Sequence, residues 1–157
     1  MANSGLRLEP LRADQYRQVA VWDWGSLGDD VDWERYAVEM NAPQWAHFGL
    51  YDGGDFVGCV SFEKIDPQMI AYHVVTARRR VNPYDLAQTL RQSAGEFFAL
   101  GYVAMVARIP AAKRAAARLA IRCGMREWGH TQAEWIADPL RYFILTKQRY
   151  EHGIVET

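Results

Sequence analysis

The densest potential chemistry in this chain lies between Met69 and Leu100. There an apolar, strand-like run leads into Arg78, Arg79 and Arg80 and then into a helix that starts at Pro83. A helix N-terminus directly after a strand presents unpaired backbone N–H groups and a partial positive charge, a combination that receives anions. Three arginines just ahead of it add phosphate-competent forks. Solubilising a loop is the other use of such a triplet, and no glycine between Val75 and Gly95 opens the backbone to a ligand.

Glu63 and His73 are the residues whose types suit proton transfer, as a carboxylate and an imidazole on neighbouring strands. A two-residue turn at Asp66-Pro67 puts Glu63 on the face of Tyr72 and leaves His73 on the other. A three-residue loop reverses that parity, so the sequence leaves the pairing open. A hydrogen-bonded core histidine and a solvated rim glutamate are the competing uses of the same two positions. Arg114, Arg118 and Arg122 recur every fourth residue on one helix face, as a solvated face or as a basic rail for an acidic partner. Trp22 and Trp24 flank Asp23 ahead of a Gly25–Gly28 loop, placed either to pack the core or to line a pocket. Cys59 and Cys123 are too few and too far apart for a metal motif or a disulfide scaffold, and read as buried free thiols. His47, His73, His130 and His152 lack metal-ligand spacing.

These residues must be positioned by 157 residues that are 50% hydrophobic and 24% charged, with a net charge of −1. That composition excludes intrinsic disorder and predicts a single domain over residues 1–157. No run reaches the roughly 18 apolar residues of a membrane span, and MANSGLRLEPLR lacks the apolar stretch of a signal peptide, so a cytoplasmic location is expected. The charge balance also argues against a nucleic-acid partner. Fifteen arginines against three lysines are the one skew.

Leu6–Arg12 alternates as a strand, and helices are predicted from Ala13 to Trp24 and from Val31 to Asn41. Ala46–Tyr51 and Phe56–Lys64 flank Asp52-Gly53-Gly54-Asp55, a hairpin signal, and Met69–Val75 completes an antiparallel meander. A helix from Pro83 to about Leu100 follows, with Asn82 as its cap, and Gly101 ends it. Tyr102–Ile109 is a strand, Ala111–Arg122 a helix closed by a left-handed Gly124, and Trp128–Ile136 and Leu140–Lys147 are the last strands. The order β-α-α-β-β-β-α-β-α-β-β predicts an α/β fold with one mixed, mostly antiparallel sheet flanked by helices.

This order, together with three segments, resembles the GNAT superfamily of acyl-CoA-dependent N-acetyltransferases from Leu6 to about Lys147. Leu50-Tyr-Asp-Gly-Gly-Asp-Phe-Val-Gly58 is similar to the family's strand 2–strand 3 hairpin, and Met69–Leu100 to its cofactor-binding strand–loop–helix. The segment from Ile109 to Gly129, IPAAKRAAARLAIRCGMREWG, resembles the "IP..NRAA..LA...GF...G" wording frequent in phage-encoded acetyltransferase-like proteins. The resemblance implies a GNAT-like acyl-CoA N-acyltransferase fold with a V-shaped opening between the strands ending near Val75 and Ile109. Acetyl-CoA would lie there, its pantetheine on the backbone of His73, Val74 and Val75. Its pyrophosphate would lie on the loop and helix start formed by Arg79, Arg80, Val81, Asn82, Tyr84 and Asp85, with Lys113 at the start of the later helix. The acceptor would be a small-molecule or peptide amine, with Glu63 or His73 as catalytic base, and a homodimer is an assembly open to such a domain.

The family's Arg/Gln-x-x-Gly-x-Gly/Ala pattern reads Arg80-Val-Asn-Pro-Tyr-Asp85 here. Lys113 replaces a common asparagine, and Ala120 stands where a tyrosine often serves as thiolate acid. Those departures motivate the alternative expectation of a catalytically inactive GNAT-fold binding or virion-associated module, with Tyr84 or Arg79 filling the cleft.

Overall fold

A computed structural model describes residues 5–24, 32–77, 81–131 and 139–153. Arg78, Arg79 and Arg80, the Gly25–Gly28 loop and the end of the predicted Trp128–Ile136 strand fall outside those residues. Among the described residues the elements are β1 (Leu6–Pro10), α1 (Tyr16–Trp24), α2 (Trp33–Met40), β2 (Trp45–Asp52), β3 (Asp55–Asp66) and β4 (Met69–Thr76). They continue with α3 (Pro83–Ala99), β5 (Ala104–Pro110), α4 (Arg114–Arg122), β6 (Arg126–Thr131), β7 (Leu140–Thr146) and α5 (Lys147–His152). The strands follow the order β1-β2-β3-β4-β5-β7-β6, the mixed α/β sheet expected from the sequence. No helix among the described residues is long and apolar enough to cross a membrane.

Backbone contacts divide the chain into two compact units, with β4 contributing to each. The first comprises Met1–Lys64 and Tyr72–Asn82. A 3-10 turn (Ala13–Gln15), not a continuous helix from Ala13, leads into α1. It is held by Gln15, whose side-chain amide donates to Tyr51 Oη at 2.7 Å and whose carbonyl accepts from the Arg12 amide at 3.0 Å. Asp32 caps α2 by accepting from the Arg35 amide at 3.1 Å. β1–β2 and β2–β3 are antiparallel, and the predicted Asp52–Asp55 turn closes the hairpin with Gly53 at φ +63°. Tyr16, Val19, Ala20, Leu50, Val57, Val60 and Phe62 form the buried apolar set of this unit. Trp22 is half-buried and packs on Phe56 with ring centroids 4.9 Å apart.

The second unit comprises Ile65–Ala71 and Pro83–Thr157. Within it β4 pairs in parallel with β5 over Met69–Ala71 and Ala104–Val106, and β7 lies antiparallel between β5 and β6. α3 starts at Pro83 as expected and buries Leu86, Ala87, Leu90, Ala94 and Phe98. Phe97 is half-buried, edge-on to Tyr102. α4 begins at Arg114 because Ala111 and Ala112 form a turn instead of a first helical turn, and Gly124 ends it at φ +97°. β6 begins at Arg126, two residues before the predicted strand. The sequence pattern missed α5: its six residues are too short to show an apolar period. Thr146 caps it by accepting from the Arg149 amide at 3.1 Å. Cys59 and Cys123 are buried free thiols, and burial pushes Cys123 up to about 12.

Gly58 of β3 lies close against the backbone of β4. A Cβ there would stand 2.7 Å from the Val75 carbonyl oxygen, a backbone atom that cannot rotate away. Gly58→Ala is therefore expected to cost about 1–3 kcal/mol of stability, read as a lowered urea midpoint at unchanged slope.

Candidate active site

The β2–β3 ladder sets Trp45 opposite Glu63 and His47 opposite Ser61. Side chains alternate across a strand, so these four occupy one face. His73 of β4 joins them: its ring lies 5.1 Å from Trp45, and its Nε2 is 3.9 Å from Glu63 Oε1. The structure thus settles the parity that the sequence left open, with Glu63 and His73 on the same face. At 3.9 Å they are close enough for a charged imidazole and a carboxylate to stabilise one another, though not at hydrogen-bond length.

This face forms one wall of a cavity of about 350 Å³ in the first unit. β2 to β4 supply Trp45, His47, Cys59, Ser61, His73 and Val75. α1 supplies Val19 and Asp23, and α2 supplies Tyr36, Glu39 and Met40. Tyr36 and Met40 lie four residues apart on α2, one turn of the helix. Both are half-buried, so that side of α2 faces the cavity.

His47 is the site residue that motif reasoning passed over. Its Nδ1 lies 2.6 Å from Ser61 Oγ, and its ring stacks on Trp45 at 5.5 Å with planes 11° apart. Burial lowers its pKa, with the Met40 carbonyl opposing the shift and the charge of His73 adding to it, so the imidazole is held neutral. Cys59 Sγ sits 3.5 Å from Ser61 Oγ, and burial pushes that thiol up, keeping it protonated. Burial and, after it, the charge of Asp23 raise the Tyr36 phenol. The only sequence signal for His47 was its period-two spacing from Trp45, visible once the hairpin register is known.

His73, Val74 and Val75 are half-buried and lie beyond Ala71, the last residue of β4 that pairs with β5. Val81 and Asn82 directly precede α3. In the second unit Asp85 is half-buried in the first turn of α3, and Tyr84 is 68% exposed with the Arg122 guanidinium 4.7 Å from its ring. Lys113 is exposed at the start of α4 and makes no side-chain cap. Arg114 and Arg118 are solvated, while Arg122 is committed to Tyr84. The side chain of Trp24 lies outside the described residues.

No protein-family model matches this chain, and no curated protein matches it. Solved structures do. A point mutant of spermidine N-acetyltransferase from Vibrio cholerae superposes with a TM-score of 0.77 at 17% identity, covering 94% of this chain and 97% of that one. The same enzyme in complex with CoA and spermine gives 0.77 at 15% identity over 95% and 99%. Its dodecameric structure in an intermediate state gives 0.76 at 16% identity over 94% and 97%. At such identities the likeness is one of fold, and the chain has the fold of the GNAT N-acetyltransferases.

Proposed function

We propose that this protein is an acyl-CoA-dependent N-acetyltransferase that moves an acetyl group from acetyl-CoA to an amine. The observation that carries the reading is the cavity of the first unit. Carboxylates, two imidazoles and a tryptophan converge there with His73–Val75, the stretch of β4 beyond its rungs to β5.

The residues fit such a cosubstrate. The backbone of His73, Val74 and Val75 offers amides and carbonyls outside the β4–β5 ladder for a pantetheine arm. For the phosphates, the start of α3 supplies N–H groups and Tyr84; Arg79, Arg80, Val81 and Asn82, which precede it in the sequence, and Lys113 are the further residues that the family resemblance assigns to them. Asp85 opposes that charge, so the proposal assigns it to the rim of the phosphate site. Acetyl-CoA would supply the thioester carbonyl that the amine attacks.

An acceptor ammonium must lose one proton to become a nucleophile, and the departing thiolate must gain one as the N–C bond replaces the C–S bond. His73 is the group proposed to move that proton at Nε2, with the Glu63 carboxylate at 3.9 Å stabilising the imidazolium formed. His47, neutral and fixed against Trp45 and Ser61, shapes the wall beside it. Tyr84, one of the residues expected to fill the cleft of an inactive module, is 68% exposed and engaged by Arg122, which favours the enzymatic reading.

Calorimetry with CoA and acetyl-CoA, followed by turnover on a panel of amines, tests the assignment. Binding at micromolar to sub-millimolar ligand and acetylated product are expected, and no binding near millimolar ligand refutes it. His73→Gln should lower kcat by about a hundredfold and Glu63→Gln by about tenfold, with the CoA affinity of both retained in the same calorimeter. A stability measurement probes the burial of His47. Its folded pKa is depressed, so the unfolded chain binds the proton first as pH falls below about 6.5. The wild type should therefore lose more urea resistance between pH 7 and pH 5 than His47→Gln does.

A further inference from the structure

We infer that the second unit carries a binding site of its own for a small, flat anion of the class of a nucleoside monophosphate, in the cavity between β6, β7 and α5. The cavity measures about 570 Å³, within the range of small-molecule sites. It shares no lining residue with the cavity of the first unit, and nothing in the acyl-transfer reading requires it.

Its lining is basic. Arg126 of β6 and Arg149 and His152 of α5 border it, and no carboxylate does so among the described residues. The acids next to them in the chain are already engaged: Glu127 accepts from Arg141, and Glu151 pairs with Lys147 at 3.8 Å. Arg126 and His152 make no ion pair among the described residues. Arg149 is half-buried and held in place, since its Nε donates to the Gly124 carbonyl at 3.1 Å and Thr146 caps the turn that carries it. A guanidinium fixed by a backbone carbonyl keeps its charge and its two terminal nitrogens for another acceptor. Two such forks and an imidazole around one space match a phosphate, whose oxygens accept from several donors at once. A lone carboxylate would leave part of that charge unanswered.

Trp128 supplies a stacking surface at the same place. The β6–β7 ladder sets Arg126 opposite Ile144 and Glu127 opposite Phe143, then shifts so that Gly129 faces Tyr142. Trp128 is the extra residue of that bulge, and a bulge re-aims the side chain it carries. The indole lines the cavity and is 58% exposed. Its contact with Tyr142 is T-shaped, with ring centroids 6.3 Å apart, and engages at most one face of the indole. β6 is an edge strand, where a bulge also discourages pairing with another chain. A charge or a proline serves that purpose, and an exposed indole does not. A flat ring stacked on Trp128, with its phosphate among the three basic side chains and Ile144 as apolar wall, uses all of these features.

The experiment is calorimetric titration of the full chain with adenosine 5′-monophosphate, adenosine and ribose 5-phosphate. It is run on the wild type, Arg126→Gln, Trp128→Phe and Trp128→Leu, whose urea midpoints should match because both positions are exposed. The monophosphate should bind about tenfold or more tightly than either half of it. Arg126→Gln should weaken it about tenfold and Trp128→Leu about fivefold or more, while Trp128→Phe keeps most of the affinity. Raising the salt concentration should weaken binding of the monophosphate more than that of adenosine. No binding near millimolar nucleotide, either half binding as well as the whole, or an affinity undiminished in both Arg126→Gln and Trp128→Leu overturns the inference. CoA, titrated into the same variants, should bind each of them as it binds the wild type. A loss of CoA affinity parallel to that of the monophosphate makes the nucleotide of CoA the ligand and overturns a site of separate function.

Discussion

The register of the β2–β3 ladder is the constraint on which the site depends. Because Trp45 stands opposite Glu63 and His47 opposite Ser61, alternate residues of two strands deliver an indole, two carboxylate- or hydroxyl-bearing side chains and an imidazole to one face. A slip of β3 by one residue would turn Ser61 and Glu63 to the other side and bring the buried Phe62 and Val60 into the cavity. The register is fixed by the Asp52–Asp55 turn, with Gly53 in the left-handed region, and by the burial of Val60 and Phe62 on the opposite face. The energy that holds this face in place is thus largely hydrophobic and acts on residues that point away from the cavity.

Burial has an opposite effect on the groups of the cavity. It keeps His47 neutral, Cys59 protonated and the Tyr36 phenol neutral, because each would lose hydration on charging. Asp23 and Glu39, which line the same cavity, are exposed. The close approach of Gly58 to the Val75 carbonyl keeps β3 tight against the part of β4 that completes this wall.

Much of the fold was legible because it rests on local rules. Alternation gave the strands, the two-glycine turn gave the hairpin, and Pro83 and Gly101 bounded α3. Where local rules were silent the reading fell short. α5 has six residues and no apolar period, and its place is secured by a threonine cap and by Tyr150, packed against Phe98 and Gly95. The Ala111–Arg122 segment has helical propensity throughout, yet its first two alanines are drawn into a turn in which the Ala111 amide bonds the Pro139 carbonyl. Glu63 and His73 were identifiable by residue type, while His47 and Asp23 belonged to no motif.

The amino-acid sequence alone determined the order of elements, the apolar faces and the residue types available for proton transfer, since these follow from periodicity, turn chemistry and side-chain pKa. Only the tertiary structure decided which of those residues share a space. Strand parity at the β3–β4 turn put Glu63 beside His73. One side of α2 became a cavity wall, and Asp23, in the last turn of α1, lines the same cavity. Such outcomes depend on register and packing between segments far apart in the chain. A one-residue difference in a turn changes them completely while leaving the local pattern unaltered.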